Sequence, residues 1–131
     1  MNSFEDLEVW KHARLFRNAI HETASKFPKE ETYRLTDQII RASRSITANI
    51  AEGLGRFHHQ ENIQFCRMAR GSLIEILDHL ICANDCGYVT NEQLQVYRNK
   101  YDNCLKLLNG YIAYLKKAKQ AQQQPNNSIT Q

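Results

Sequence analysis

The sequence contains few residues of the kinds that interrupt helices. Its 131 residues include only 5 glycines and 2 prolines, whereas all-β chains with many short strands need turn residues at frequent intervals. No apolar run approaches the roughly 20 residues that span a bilayer. A chain of this length has room for one hydrophobic core. We therefore predict one helical domain in a soluble protein that has no membrane partner.

Targeting signals and closely spaced cysteine motifs are also lacking. The N-terminal residues are acidic and do not show the basic-then-apolar order of a signal peptide, so we expect a cytoplasmic protein. The four cysteines, Cys66, Cys82, Cys86 and Cys104, include no C-x-x-C spacing. They lie at helical positions that suit small hydrophobic residues. We expect free thiols.

The net charge is only +3, but it is unevenly distributed. Residues 34–70 carry 6 basic and 3 acidic groups, residues 90–131 carry 6 and 2, and residues 71–89 carry 0 and 3. The positive excess therefore lies in the second and fourth helical segments described below.

Apolar residues recur at steps of three and four in four segments, as on one face of a helix. The first segment is predicted to start at Ser3, which can cap free amides, and to end at Pro28. Pro28 also suits the opening turn of the second helix. The second helix is predicted to end at Gly53–Arg56, where a glycine can adopt the left-handed conformation.

The third helix is predicted from about Gln60 to Cys86, and its apolar residues cover about half its circumference, enough to bury two faces. Gly87 should end it, and Thr90 or Asn91 should cap the fourth helix. The fourth helix should reach about Ala118. Residues 1–119 then form an all-α, antiparallel, up-and-down four-helix bundle, and the polar residues 120–131 form a disordered tail.

Several segments resemble the 23S rRNA intervening-sequence four-helix-bundle proteins, and the similarity extends over residues 4 to 115. The matching positions are Phe4–Lys11, Phe27–Glu31, Leu35, Gln38, Arg41, Ala42, Ser45, Ile46, Asn49–Gly53, Ala69–Ser72, Glu75, Gly87 and Tyr88. The resemblance implies a ring-like homopentamer, encoded in some bacteria within elements that interrupt ribosomal RNA genes, with no known catalytic activity. The accessory proteins of diversity-generating retroelements are similar in fold, and they bind nucleic acid and a reverse transcriptase.

A polar ridge follows the second helix beside its apolar face. Its residues, at steps of three and four, are Gln38, Arg41, Ser45, Asn49 and Glu52. Buried polar groups need partners, so the ridge should meet polar groups of another helix or subunit. We expect charge-assisted bonds at Arg41 and Glu52, and a tie from Asn49 to the neighbouring helix. An external ligand is the alternative.

Five arginines form a candidate nucleic-acid-binding set, because guanidinium groups match phosphate geometry. They are Arg41, Arg44, Arg56, Arg67 and Arg70. Phe57, His58 and His59 lie near them in the sequence, and a ring of subunits would multiply their charge. The alternative is an ordinary solvated surface.

No motif predicts catalysis, a metal or a cofactor. His79, Cys82 and Cys86 share one helical face, but a single helix cannot surround a tetrahedral ion. Nucleophile elbows, glycine-rich phosphate loops and Glu-x-x-His pairs are absent. The sequence therefore predicts a non-enzymatic protein, and the broad apolar arc of the third helix together with the polar ridge of the second predicts a homo-oligomer. The family resemblance implies an RNA- or retroelement-associated accessory protein with RNA, DNA or a reverse transcriptase as partner. The alternative is a protein-protein interaction scaffold without nucleic-acid binding.

Overall fold

The computed structural model describes residues 3–123, and every regular element in that range is a helix. The four long helices are α1 (Glu8–Ala24), α2 (Leu35–Leu54), α3 (His59–Asp85) and α4 (Asn91–Gln122). Short 3-10 turns lie at Phe4–Asp6 and Lys29–Glu31. The predicted all-α fold is confirmed.

The helices form a bundle in which each helix packs against two others. α1 contacts α2 and α4, and α3 contacts the same two helices. The core lies along the common axis and includes Phe16, Ile46, Leu73 and Leu108, each at most 2% exposed. Removing a side chain of this size from water contributes about 1.5–3 kcal/mol. The bundle fits the predicted architecture, while assembly into a ring stays a prediction.

The helix α3 buries residues on two sides, as its broad apolar arc predicted. One side faces α2 through Ser72, and the other faces α4 through Arg70. Two large apolar side chains of α3 remain more than half exposed, Met68 at 56% and Ile74 at 52%. None of the helices described within residues 3–123 is long and apolar enough to cross a membrane.

The first two helices begin later than the sequence predicted. Ser3 does accept a hydrogen bond from the Glu5 amide at 2.9 Å, but it caps only a 3-10 turn, because Leu7 is extended. Pro28 likewise opens a 3-10 turn, and α2 begins only at Leu35. The Tyr88 hydroxyl donates to Glu31 at 2.9 Å. This long-range bond ties the connection between α1 and α2 to the segment that follows α3.

The helix ends show which predicted stop and start signals operate. Gly87 has φ +81°, the left-handed conformation expected after α3. Thr90 caps α4 in a reciprocal capping box with Gln93. The left-handed conformation predicted at the end of α2 is wrong, because Gly55 has φ −72° and α2 ends in right-handed geometry.

The helix α4 runs to Gln122, four residues beyond the predicted end at Ala118. Alanine and glutamine favour helix, and the extra turn is bonded to the start of α3. His59 Nδ1 lies 2.8 Å from Gln122 Oε1, and Lys119 donates to Gln60. Residues 120–122 of the predicted tail are therefore helical. Residues 124–131 lie outside the described part of the chain.

Candidate nucleic-acid interface

The polar ridge of α2 lies along the junction between α2 and α3. Ser45 and Asn49 are half-buried, whereas Gln38, Arg41 and Glu52 are exposed. The Ser72 hydroxyl of α3 donates to Ser45 Oγ at 2.9 Å, which links the two helices. The middle of the ridge therefore satisfies its polar groups within the bundle, and its two ends face outward.

Asn49 does not make the tie that the sequence predicted. Its Nδ2 donates to Ser45 O at 2.8 Å and to Ser45 Oγ at 2.9 Å, both on its own helix. Four residues separate the two positions, so their side chains are neighbours along α2. Ser45 makes the bond to α3 instead, with Asn49 orienting its hydroxyl.

The charged residues of the ridge pair with residues four positions away in the chain. Arg41 Nη1 lies 3.6 Å from Asp37 Oδ2, and Arg56 Nη2 donates to Glu52 Oε1 at 2.9 Å. Both are i,i+4 pairs with exposed partners, a class worth about 0.3–0.5 kcal/mol. The expected bonds therefore form within the subunit, along α2 at Arg41 and across the end of α2 at Glu52, and contacts with another subunit stay a prediction.

The structure does not gather the five predicted arginines on one surface. Arg56 also approaches Glu61 and stacks 4.7 Å above the Phe65 ring, so carboxylates compensate its charge. Arg70 donates to Asn109 of α4 at 2.9 Å. Within residues 3–123, no carboxylate lies within 4.0 Å of Arg44, Arg67 or Arg70. These three retain their positive charge for an external partner.

Arg67 lies beside two lysines that the sequence analysis missed as candidates for binding. A cleft of about 260 Å³ between α3 and α4 is lined by Arg67, Lys116 and Lys119, with glutamines and Ile63 completing its wall. An adjoining cleft is lined by His58, His59 and Lys119. Among residues 3–123, no carboxylate lines either cleft. We call Arg67, Lys116, Lys119, His58 and His59 the basic end of the bundle.

An exposed aromatic ring adjoins the basic end. Phe57 is 92% exposed and packs edge-to-face against His58, with ring centroids 4.9 Å apart. Exposed aromatic rings beside cationic groups can stack on unpaired bases. The sequence placed Phe57 near the basic residues, but the contribution of α4 came only from packing, because Gln60 and Lys119 are 59 positions apart.

His79, Cys82 and Cys86, which share one face in the sequence pattern, differ in their surroundings. His79 Nε2 lies 3.0 Å from Glu75 Oε2, one turn earlier on α3. Cys82 and Cys86 are exposed. The other two cysteines are buried, and burial raises the pKa of the Cys66 and Cys104 thiols to about 11 each. Within residues 3–123, no three His, Cys, Asp or Glu side chains come together as a metal site.

Comparisons with known proteins agree with this fold. A protein of unknown function from the S23 ribosomal protein family of Bacteroides thetaiotaomicron superposes with a TM-score of 0.74 at 24% identity, over 80% of this chain and 95% of that one. No curated protein matches the chain. The family model described as 23S rRNA-intervening sequence protein matches residues 5–110, which include all of α1, α2 and α3 and most of α4. The chain belongs to the 23S rRNA-intervening sequence protein family.

Proposed function

We propose that this protein is a non-enzymatic, homo-oligomeric accessory factor that contacts RNA or DNA through its basic end. The observation that carries the proposal is the convergence of Arg67, Lys116 and Lys119 around a cleft whose lining within residues 3–123 contains no carboxylate. The family name, which refers to a sequence interrupting 23S rRNA, supports RNA-associated biology. Association with a retroelement and its reverse transcriptase is a further part of this proposal.

The chemistry of the basic end suits the phosphate backbone rather than a particular base sequence. Lysine ammonium groups act as mobile point charges, and an arginine fork can bind two oxygens of one phosphate. The Lys119 ammonium already donates to Gln60, which holds it at the cleft. Contacts of this kind give weak affinity that falls as salt rises, because binding releases counterions from the nucleic acid.

Self-association would increase this affinity by repeating the basic end. Three large apolar side chains of α1 and α4 are more than half exposed, Leu15 at 67%, Val96 at 51% and Tyr114 at 64%. Positions 96 and 114 share one face of α4, since eighteen residues make five helical turns. Burying these side chains against another copy of the chain would be favourable, and simultaneous binding by linked sites strengthens attachment. The family resemblance implies five subunits.

The test compares retention of RNA and of DNA oligonucleotides at low and high salt. One variant carries Arg67→Gln, Lys116→Gln and Lys119→Gln, and a control removes the same charge elsewhere through Arg98→Gln, Lys100→Gln and Lys106→Gln. All three control positions are exposed on α4. Light scattering establishes that each variant keeps the wild-type oligomeric state.

We expect the wild type and the control to retain nucleic acid at low salt and release it at high salt. The basic-end variant should fail to retain nucleic acid even at low salt. If the wild type retains neither RNA nor DNA at low salt, the proposal is wrong, and the exposed apolar residues then favour a scaffold that binds only protein. Equal loss in both variants would assign binding to net charge and overturn the role of the basic end.

A further inference from the structure

A second cleft, between α1 and α2, holds positive charge that the basic end does not include. It measures about 430 Å³ and is lined by Arg17, Asn18, His21, Ser43 and Arg44. Every ionisable residue in this lining is a base. The cleft lies on a pair of helices that contributes neither Arg67 nor the lysines of α4.

Arg17 is held in this cleft by neutral groups. Its Nη1 donates to Thr47 Oγ1 at 3.1 Å, and its Nε and Nη2 both donate to Asn18 Oδ1 at 3.3 Å. Thr47 in turn donates to the Arg44 carbonyl at 3.2 Å. Arg17 is half-buried, and these bonds orient its guanidinium without neutralising the charge.

The positive charge in the cleft has no counter-ion in the described chain. Over residues 3–123, no carboxylate oxygen lies within 4.0 Å of Arg17 or Arg44. A guanidinium carries five N–H groups, and the bonds above use three of those of Arg17. One N–H on each terminal nitrogen is left to donate to an anion. Partial burial makes an unpaired charge costly, so binding an anion is favoured.

Of the other lining residues, some can donate a hydrogen bond to a ligand and one only forms the wall of the cleft. The Asn18 carbonyl accepts from Arg17, so its amide N–H groups stay available. The Ser43 hydroxyl is fully buried and donates to Ile40 O at 2.8 Å, so it forms the wall. His21 is exposed at the rim. The cleft therefore offers two guanidinium groups, one amide and one imidazole, all capable of donating to an oxyanion.

We propose that this cleft is a phosphate-binding site, with Arg17 as the oriented fork and Arg44 as the second charge. Two adjacent arginines favour a phosphate over a singly charged carboxylate, because phosphate carries more charge and more acceptor oxygens. The phosphate can belong to the nucleic-acid backbone or to a terminal phosphomonoester. The inference goes beyond the proposed function, which depends on the basic end.

The test follows backbone amide signals by NMR while inorganic phosphate replaces chloride at constant ionic strength. In the wild type we expect saturable shifts at Asn18, His21, Ser43 and Arg44. Arg17→Gln combined with Arg44→Gln should weaken phosphate binding at least tenfold. The control Arg98→Gln alters an exposed arginine of α4 and should respond like the wild type. If the double variant unfolds, Arg44→Gln alone replaces it in the test. Arg44 is exposed, and this single change should still weaken phosphate binding.

Oligonucleotides with and without a 5′ phosphate then identify the source of the phosphate. Shifts in the cleft with both indicate backbone phosphodiesters, and shifts only with the phosphorylated one indicate a terminal phosphomonoester. A wild-type protein without saturable shifts in the cleft, or an Arg44→Gln variant that binds phosphate as tightly as the wild type, overturns the inference. Phosphate binding without oligonucleotide retention would leave this inference standing while the proposed function failed.

Discussion

Gly53 of α2 lies so close to the buried Asn62 of α3 that an added Cβ would lie 2.5 Å from Asn62 Oδ1. The same Cβ would approach the Phe65 Cβ to 3.0 Å. Asn62 is held in place, because its Nδ2 donates to the Tyr111 hydroxyl at 3.2 Å. The absence of a side chain at position 53 therefore sets the approach of two helices near the basic end.

Replacing Gly53 by alanine should lower the free energy of unfolding, because overpacking a dense interior costs about 1–3 kcal/mol. The helix preference of alanine offsets about 1 kcal/mol of this cost, which leaves a net loss of up to about 2 kcal/mol. The control is Gly71→Ala, at a helical position where an added Cβ meets nothing within 4 Å. It should stabilise by about 0.4–1 kcal/mol. Urea unfolding measures both, and a stabilised Gly53→Ala would contradict the close approach.

The bond between Ser72 and Ser45 predicts energetic coupling across α2 and α3. A double-mutant cycle with Ser45→Ala and Ser72→Ala should give a coupling energy of about 0.5–1.5 kcal/mol, the usual net value of one hydrogen bond. The Ser25 hydroxyl donates to the Glu22 carbonyl, three positions earlier in the chain. A parallel cycle of Ser45 with Ser25 should show no coupling. Additive losses in the first cycle would mean that the cross-helix bond contributes nothing.

The four thiols should separate into two classes towards a thiol reagent at mildly alkaline pH. Only the thiolate reacts, and burial raises the pKa of Cys66 and Cys104 to about 11. Cys82 and Cys86 are exposed and should react in the folded protein, while the other pair should react only after denaturant is added. Cys82→Ser and Cys66→Ser identify the phases. Rapid reaction at Cys66 without denaturant would show that the core opens readily.

The hydrogen bond from Tyr88 to Glu31 predicts a pH dependence of stability. That bond, followed by desolvation, raises the pKa of Tyr88 to about 12. The neutral phenol is therefore favoured by folding, so its contribution is complete below the usual tyrosine pKa of about 10 and is lost as pH rises from 10 towards 12.

Comparing the wild type with Tyr88→Phe tests this relationship. The stability difference between the two proteins should be constant at neutral pH and should shrink above pH of about 10. Tyr33→Phe serves as the control, because Tyr33 is 92% exposed. A difference that stays unchanged through the alkaline range would mean that the Tyr88 hydroxyl makes no bond to Glu31 in solution.

Much of the fold was predictable from the sequence, because the periodicity of apolar residues is a local property. The bounds of α3 and the cap at Thr90 were predicted closely, since Thr90 and Gln93 need only each other to form their capping box. The starts of α1 and α2 were not predicted correctly. Leu7 is an ordinary helix former, and the turn before α2 is held by Tyr88, 57 positions from its partner.

For the candidate sites too, features set by neighbouring residues were predictable and contacts between distant residues were not. The sequence placed Ser45 and Asn49 on one side of α2, but only packing showed that Ser45 meets Ser72 while Asn49 stays on its own helix. The lysines at the end of α4 were not among the predicted nucleic-acid-binding residues. Their meeting with Arg67 depends on the antiparallel return of α4 along α3.

The sequence by itself determined that this chain forms four amphipathic helices around one core, because helix periodicity and capping depend on residues within a few positions of each other. The tertiary structure alone decided which arginines keep an uncompensated charge and which basic residues share a cleft. Charge compensation depends on distances of a few ångströms between residues far apart in the chain. Those distances are set when the helices pack.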